Sequence, residues 1–562
     1  GSAPGARRRF HRRRRAPGYH RRLMLYAEET FTADEADLLR RYFTNLDRPV
    51  FALVNLPEVV KGALFARYSR THKSLRRLFL DEFADDVDVD DGDDHGGADT
   101  GRRSGGQGRA EQLYERVFVE YGDDSVAQLG GVHLACEQAS NLLTKVLEWG
   151  RLMAYLEQST RYIAYDVRLD GRYRYWRDPA VLDSPLGTRY VAEMDGFFDL
   201  YAAALPRMLD WARERFPKEP GDSDFVWRQS VKAKACDAVR GMLPAASLSN
   251  VGIYGTGQAY EAMLLRMRAH PLPEVRRYAQ MILEELRLVI GSFLTRVDRA
   301  DRGVAWSAYL GERRERTEAM AAHLLAGEEP DAAPAVSLVE WDPDGEDKVL
   351  AAILYAASDL PEDQLLTRVA KLAPEERFAL MDAYVGERAN RRHKPGRAFE
   401  RVDYRFDVLA DYGAFRDLQR HRMLTIEWQP LTTAHGYTLP EPVTEAGVEP
   451  LFREAMDRSH SLYEALAELF PHQARYAVAL AYRIRFAMQM NAREAMHLVE
   501  LRTSPQGHPA YRAVCQEMWR LIRDQAGHHA IAEAMRFVDL GEGEEGRLAA
   551  ERRTEARRDQ TT

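Results

Sequence analysis

"WGRLMAYLEQSTRY" occupies residues 149–162 and "RHRMLTIEWQPLTT" occupies residues 420–433. The first stands as far behind Gly122, in "GDDSVAQL", as the second stands behind His393, in "HKPGRAFERV". Further on, "CDAVRGMLP" through "MLLRMRA" answers "HQARYAVAL" through "HLVELRT". Arg240 to Arg268 is 28 residues and Arg475 to Arg502 is 27. Matched spacing over such distances is the mark of a tandem duplication that has drifted. Extra length in the first copy falls at 84–110 and within 172–235, where insertions would sit on loops.

Around this pair the chain reads mostly as helix. "NLPEVVKGALFARYSR", "EQLYERVFVEYG", "PEVRRYAQMILEELRLVIGSFLTRV", "VEPLFREAMDRSHSLYEALAELF" and "YRAVCQEMWRLIRDQA" are amphipathic. Strand signals are fewer: "SLVEWD" at 337–342, "RYIAYDVRL" at 161–169 and the nearby "YRYW". The fold class expected is α+β, two homologous halves, each a helix-rich domain with a small mixed or antiparallel sheet. The boundaries expected are a basic disordered tail at 1–27, a first half at 28–300, a linker at 301–335, a second half at 336–540 and a charged tail at 541–562.

At 562 residues the chain exceeds one ordinary core, and its 45% apolar and 30% charged content is that of a globular protein. No apolar run approaches the roughly 20 residues a membrane helix needs, so a cytoplasmic protein without membrane contact is expected. Cys136, Cys236 and Cys515 have no metal spacing and read as buried thiols. The net charge of −8 conceals "RRRFHRRRR", seven arginines within residues 7–15. Such a block can neutralise phosphates without reading sequence, but it reads here as a solvated tail, and a nucleic-acid partner is not expected. The Asp- and Gly-rich 84–110 lacks the glutamate of a calcium loop and reads as a solvated insertion. No metal site is expected: His529 and Glu533 share a helix face but have no third ligand. "GIYGTG" at 252–257 lacks the context of a dinucleotide fingerprint.

Two groups carry the chemistry. "QRHRM" at 419–423 places Arg420 and Arg422 around His421 with no carboxylate expected close by, so an external anion is the expected partner. Read as extended backbone, "LEQSTRYIAY" puts Glu157, Ser159 and Arg161 on one side and Gln158, Thr160 and Tyr162 on the other. A hydroxyl beside a guanidinium fork makes a compact phosphate clamp. On the helix "NAREAMHLVELR", Asn491 and Arg502 point the same way about 16 Å apart, a span for the two ends of a long ligand.

In this order and spacing the motifs resemble those of the flavin-dependent thymidylate synthases. That family carries Arg-His-Arg, Ser-x-Arg, Asn-x-Arg and Leu-Arg. The resemblance covers about 28–300 and 336–540. It implies a substrate site of Glu157, Gln158, Ser159, Thr160, Arg161, Arg240, Arg420 and Arg502, with Ser159, Arg161 and Arg502 closest to the chemistry. It implies cofactor contacts from Ser69, Arg420, His421, Arg422, Asn491 and Arg493. It further implies FAD, with methylenetetrahydrofolate and NADPH as co-substrates, methylation of dUMP to dTMP, and a homodimer standing in for the family's tetramer. The copies diverge in complementary ways: Trp149-Gly150-Arg151 replaces the first triplet, and Pro430-Leu431-Thr432 replaces the second Ser-x-Arg. Composite sites built from what each half kept are therefore expected. A nucleotide-binding homologue without turnover, and the same chemistry on a modified nucleotide or polynucleotide, are the alternatives.

Overall fold

In a computed structural model of the chain, the described residues are 29–49, 51–68, 71, 73–84, 128–220, 222–541 and 552. The tail 1–27, Ser69, the helix expected at 111–122, and nearly all of 84–110 and 541–562 lie outside them. The chain divides into two compact units, Gly1–Gly130 and Gly131–Thr562, and not at 301–335. That segment carries a helix, Ala305–Leu324, with no buried residue.

The first unit contains helices Ala33–Tyr42, Glu58–Tyr68 and Leu75–Glu82. Thr32 caps the first in a reciprocal box with Glu35, satisfying two backbone donors. Leu39, Tyr42, Phe43, Leu64 and Phe79 form its buried core.

The second unit holds two antiparallel sheets. The first has strand order β1-β3-β2 from β1 (Gly131–Ser140), β2 (Met153–Glu157) and β3 (Leu248–Thr256). The second has order β4-β5-β7-β6 from β4 (Val336–Trp341), β5 (Asp403–Asp411), β6 (Thr425–Trp428) and β7 (Arg483–Asn491). The strand expected at 337–342 is β4. The one expected at 161–169 is absent: β2 ends at Glu157, and Tyr162 and Ile163 donate back to the Ser159 carbonyl in a turn. Tyr175 of "YRYW" makes only an isolated bridge to Ser247. "GIYGT", set aside at the sequence level, is the end of β3.

Corresponding elements repeat in both sheets. Ser140 caps helix Asn141–Leu147 after β1, and Asp411 caps helix Tyr412–Gln419 after β5. Thr256 and Asn491 cap the helices that follow β3 and β7. Where the halves meet, the backbone pairing is reciprocal. Ala245 N donates to the Val478 carbonyl at 2.8 Å and Leu480 N to the Leu243 carbonyl at 2.9 Å. Ala246 N donates to Tyr476 and Ala481 N to Gly241, both at 3.0 Å, on either side of the Pro244–Ala479 bridge. Each bond has its mate under one shift along the chain. This is the self-complementary contact of a two-fold dimer, here formed within one chain. Apart from the half-buried Gly241 these residues are buried, so unpaired N–H and C=O groups would be costly there.

Candidate functional site

The turn after β2 brings Glu157, Gln158, Ser159, Thr160 and Arg161 to one inner pocket. Arg240 from the first half joins them, with Gly413, Arg416, Asp417 and Arg420 from the second. The alternation expected of an extended strand does not hold, because the chain turns at Ser159 and all five residues face the same space. Residues of both halves line this one pocket.

The pocket is filled by its own ion pairs and retains only about 20 Å³, room for a single water. Arg161 makes a bidentate pair with Asp237 at 2.7 and 2.8 Å, and also donates to Tyr511 Oη at 3.0 Å. Arg416 donates to Glu157 at 2.6 Å, and Lys145 lies 3.2 Å from the same carboxylate. Asp417 is the hub: it pairs with Arg420, with Arg240 at 3.4 Å and with Arg502 at 3.8 Å. Burial pushes these carboxyls upward, but the guanidiniums outweigh it. Arg161 holds Asp237 at about 2, Arg416 and Lys145 hold Glu157 at about 2, and Arg420, Arg240 and Arg502 hold Asp417 far below the carboxylate range. Three donors stay over: Arg240 Nη2, Arg416 Nε and Arg420 Nε are buried without a hydrogen-bond partner.

The expectation of a triplet without carboxylates is therefore corrected. Asp417 sits one helical turn before Arg420 and pairs with it, and Glu494 lies 3.2 Å from His421 Nδ1. Arg502 Nε donates to His421 Nε2 at 3.0 Å. An N–H donated to Nε2 requires a lone pair there, which leaves the ring proton on Nδ1, facing Glu494. Burial, reinforced by Arg502 and Arg420, pushes the His421 pKa well down, so the ring is neutral. His421 is thus a link between Glu494 and Arg502 and not a third cation. With His497, these residues also place three potential metal-ligand atoms within 4.8 Å of one another, a cluster that sequence reasoning missed because Glu494 and His497 lie over 70 positions from His421.

The triplet divides between two spaces. Arg420 lines the inner pocket; Gln419, His421 and Arg422 line a neighbouring cavity of about 300 Å³, with Glu148, Trp149, Gly150, Arg151 and Arg266 opposite. Other expected cofactor residues are engaged elsewhere. Asn491 accepts from Glu494 N as a helix cap, and Arg493 binds the Pro395 carbonyl at 3.0 Å and Glu400 at 3.2 Å. Asn491 and Arg502 therefore do not act as the paired grip expected of them. Arg502 stands behind Asp417, outside the inner pocket's lining. A larger cleft of about 1120 Å³, sharing Arg240 and Gly413 with the inner pocket, leads outward past Trp211, His508 and Gln516. Cys136, Cys236 and Cys515 are buried and free, and none lies in the pocket lining.

The mirrored position is closed by different chemistry. By strand register Trp428 corresponds to Glu157, since they pair with the corresponding residues Phe486 and Val251. By helix cap Trp149 corresponds to Arg420. The two indoles meet edge to face at 5.6 Å, and Phe415 packs 5.4 Å from Trp428.

Comparison with known proteins agrees with this two-fold plan. The family described as thymidylate synthase complementing protein matches residues 77–290 and again 337–526. A UPF0159 protein of Chlamydia muridarum is 39% identical over 535 residues, covering 95% of this chain and 100% of that protein. One from Thermoplasma acidophilum is 31% identical over 518 residues, covering 87% and 97%. Among solved structures, a UMP/dUMP methylase from Streptomyces cacaoi aligns at 17% identity and a TM-score of 0.30, over 36% of this chain and 94% of its own. The chain belongs to the thymidylate synthase complementing protein family, as a tandem-duplicated, divergent member.

Proposed function

We propose that this protein methylates a uridine nucleotide, deoxyuridylate or a close variant, at one composite site per chain. The observation that carries the reading is the convergence of Ser159, Arg161 and Arg240 with Arg416, Asp417 and Arg420 on one inner pocket. The family's name points to the same substrate class.

In this reading Asp417 and Asp237 hold the place of the substrate's negative charge. Arg161, Arg240 and Arg420 are kept charged and ordered by these carboxylates, and a phosphate entering from the outer cleft competes for the same donors. Ser159 adds a hydroxyl beside the Arg161 fork. Arg502, fixed by His421 and Asp417, sets the position of the Asp417 hub. Guanidiniums near the pyrimidine stabilise negative charge as its C5 becomes nucleophilic, and burial strengthens that effect. A reduced FAD would supply the redox chemistry that carries a one-carbon unit from methylenetetrahydrofolate, with NADPH as reductant. Arg422, which makes no ion pair among the described residues, is the triplet residue that fits a cofactor phosphate. No cysteine nucleophile is required. The reading includes a cytoplasmic homodimer.

The test is an anaerobic assay with FAD-reconstituted protein, methylenetetrahydrofolate, NADPH and deoxyuridylate, following thymidylate formation. Thymidylate formed by the full chain and lost in Arg161→Ala supports the reading. Tight deoxyuridylate binding without product favours a binding protein that retains the fold.

A further inference from the structure

Arg240 stands where two spaces meet. It and Gly413 line both the inner pocket and the outer cleft of about 1120 Å³. Arg240 is 4% exposed and pairs with Asp417 at 3.4 Å. Of the inner pocket's three unpartnered donors, its Nη2 is the one whose residue also borders the cleft. That nitrogen faces Gly413, where an added Cβ would stand 3.2 Å from it. A buried N–H group without an acceptor is costly unless a ligand supplies one.

The cleft is open because side chains are missing there, and the mirrored half shows what would fill it. Under the pairing of 241–246 with 476–481, Gly241 corresponds to Tyr476. Ala510 and Glu274 are each the second residue of a corresponding helix, Pro509–Asp524 and Pro273–Ile290. Gly413 and Leu142 are each second in the helix that follows β5 or β1. Tyr476, Glu274 and Leu142 are all buried, and Tyr476 Oη lies 2.7 Å from Glu274. Ala513, one turn beyond Ala510, continues the cleft wall and is exposed.

Charge on the cleft wall is balanced. Four cations line it, Arg215, Lys234, Arg240 and Arg512. Five carboxyls face them, Asp237, Asp411, Glu441, Glu445 and Asp539. Burial pushes the His508 pKa down to about 3, so that ring is neutral. The wall therefore has no surplus of positive charge for a second phosphate. Leu480, Ala481 and Pro442 give it apolar surface, and Gln516 gives it a neutral amide.

We infer that the outer cleft is a subsite for a neutral sugar or nucleoside, joined by a phosphodiester to the uridine nucleotide whose phosphate Arg240 takes. This rests on the function proposed for the inner pocket. An uncharged pyrimidine loses less on leaving water than a phosphate does. The ring therefore goes inward and the phosphate stays at the junction, hydrated from the cleft. Whatever is esterified to that phosphate lies in the cleft. Pockets that enclose a whole small ligand run to roughly 300–1,000 Å³, so the cleft has room for a second nucleoside.

Titration calorimetry on the full chain tests this with deoxyuridylate, deoxyuridine diphosphate and thymidylyl-deoxyuridine, in which thymidine esterifies the deoxyuridylate phosphate. The dinucleotide is expected to bind at least as tightly as deoxyuridylate, and the diphosphate no more tightly. Ala510→Leu and Ala513→Trp narrow the cleft. Each should weaken the dinucleotide roughly tenfold or more and deoxyuridylate by less than about threefold. Ala513→Ser, polar but without bulk, should change neither, and unchanged thermal melting of each variant excludes misfolding. The inference is overturned if the parent binds the dinucleotide more than about tenfold more weakly than deoxyuridylate. It is also overturned if the diphosphate binds most tightly, or if the narrowing variants weaken both ligands alike. With deoxyuridylate still bound, any of these results leaves the proposed function standing. A parent that binds the dinucleotide but not deoxyuridylate would uphold the cleft and reject the mononucleotide reading. One that binds neither rejects both.

Discussion

Trp149 and Trp428 meet edge to face at 5.6 Å in the positions that Arg420 and Glu157 hold on the other side of the internal two-fold. Two charged residues on one side, each paired with other partners, stand where two indoles meet on the other. The deoxyuridylate sites that Arg161→Ala removes should therefore number one per chain, measured by calorimetric stoichiometry. A stoichiometry of two for that class would show that the tryptophan side still takes nucleotide.

Arg161 touches the inner pocket directly, and Arg502 reaches it through Asp417. Arg161→Ala should weaken deoxyuridylate by about 1.5–3 kcal/mol, roughly ten- to a hundred-fold. Arg502→Ala should weaken it as well, and the double variant should fall short of the sum, because both act on one network. Thr432→Ala and Arg268→Ala serve as controls. Arg268 pairs with Asp298 at 2.6 Å and donates to the Val297 carbonyl, away from the pocket. A silent Arg161→Ala beside a damaging Arg268→Ala would refute the composite site.

Asp417 is ion-paired to three arginines, and losing it leaves them buried without a counter-charge. Asp417→Asn should cost about 3–5 kcal/mol of stability. Millimolar phosphate or sulfate should restore more of the melting temperature to this variant than to the parent, since the anion takes the carboxylate's place. Equal anion effects on both would mean that the hub does not stand in for substrate charge.

Glu494 fixes the His421 tautomer that accepts from Arg502. Glu494→Gln should keep a hydrogen bond to the ring yet let the ring turn or shift its proton. The expected result is weaker deoxyuridylate binding in the direction of Arg502→Ala, with no further loss in the double variant. Additive losses would separate Glu494 from Arg502.

Glu274 joins the halves: it accepts from Ser140 N at 2.9 Å, and Ser140 Oγ and Tyr476 Oη lie 2.6 and 2.7 Å from it. Burial raises its pKa to about 7, with the hydrogen bonds opposing only in part. A carboxyl raised in the folded state adds stability that is fully present below its unfolded pKa near 4.5 and is lost as pH rises through about 7. Glu274→Gln should therefore flatten the decline in stability between pH 4.5 and 7 and leave the variant more stable than the parent at pH 8, by on the order of 3 kcal/mol. Parallel stability–pH curves for the two proteins would refute this.

The duplication, the α+β class and the complementary losses were legible because matched spacing survives when individual residues drift. The helices over 58–68, 273–290, 449–467 and 509–524 followed from their apolar periodicity. Three things were not legible. The turn at Ser159 was hidden because "STRYIAY" has the composition of a strand, while backbone bonds to the Ser159 carbonyl and the Arg161–Asp237 ion pair hold it otherwise. Asp417 was passed over although it stands three residues before Arg420, a spacing that by itself signals a helical pair. Glu494 and Ala510 left no trace at all, since what gives each its meaning lies on a distant helix or strand. The cleft that Ala510 borders is a property of how distant elements pack, and no local window contains it.

The reciprocal pairing of 241–246 with 476–481 makes one chain do what two identical chains do across a two-fold axis. In a symmetric pair, every substitution is copied to both sides, so a tryptophan that suits one pocket is forced on its twin. Covalent linkage removes that constraint. Each side can change alone, and an inherited replica becomes free to give up its own binding and serve as scaffold for its neighbour.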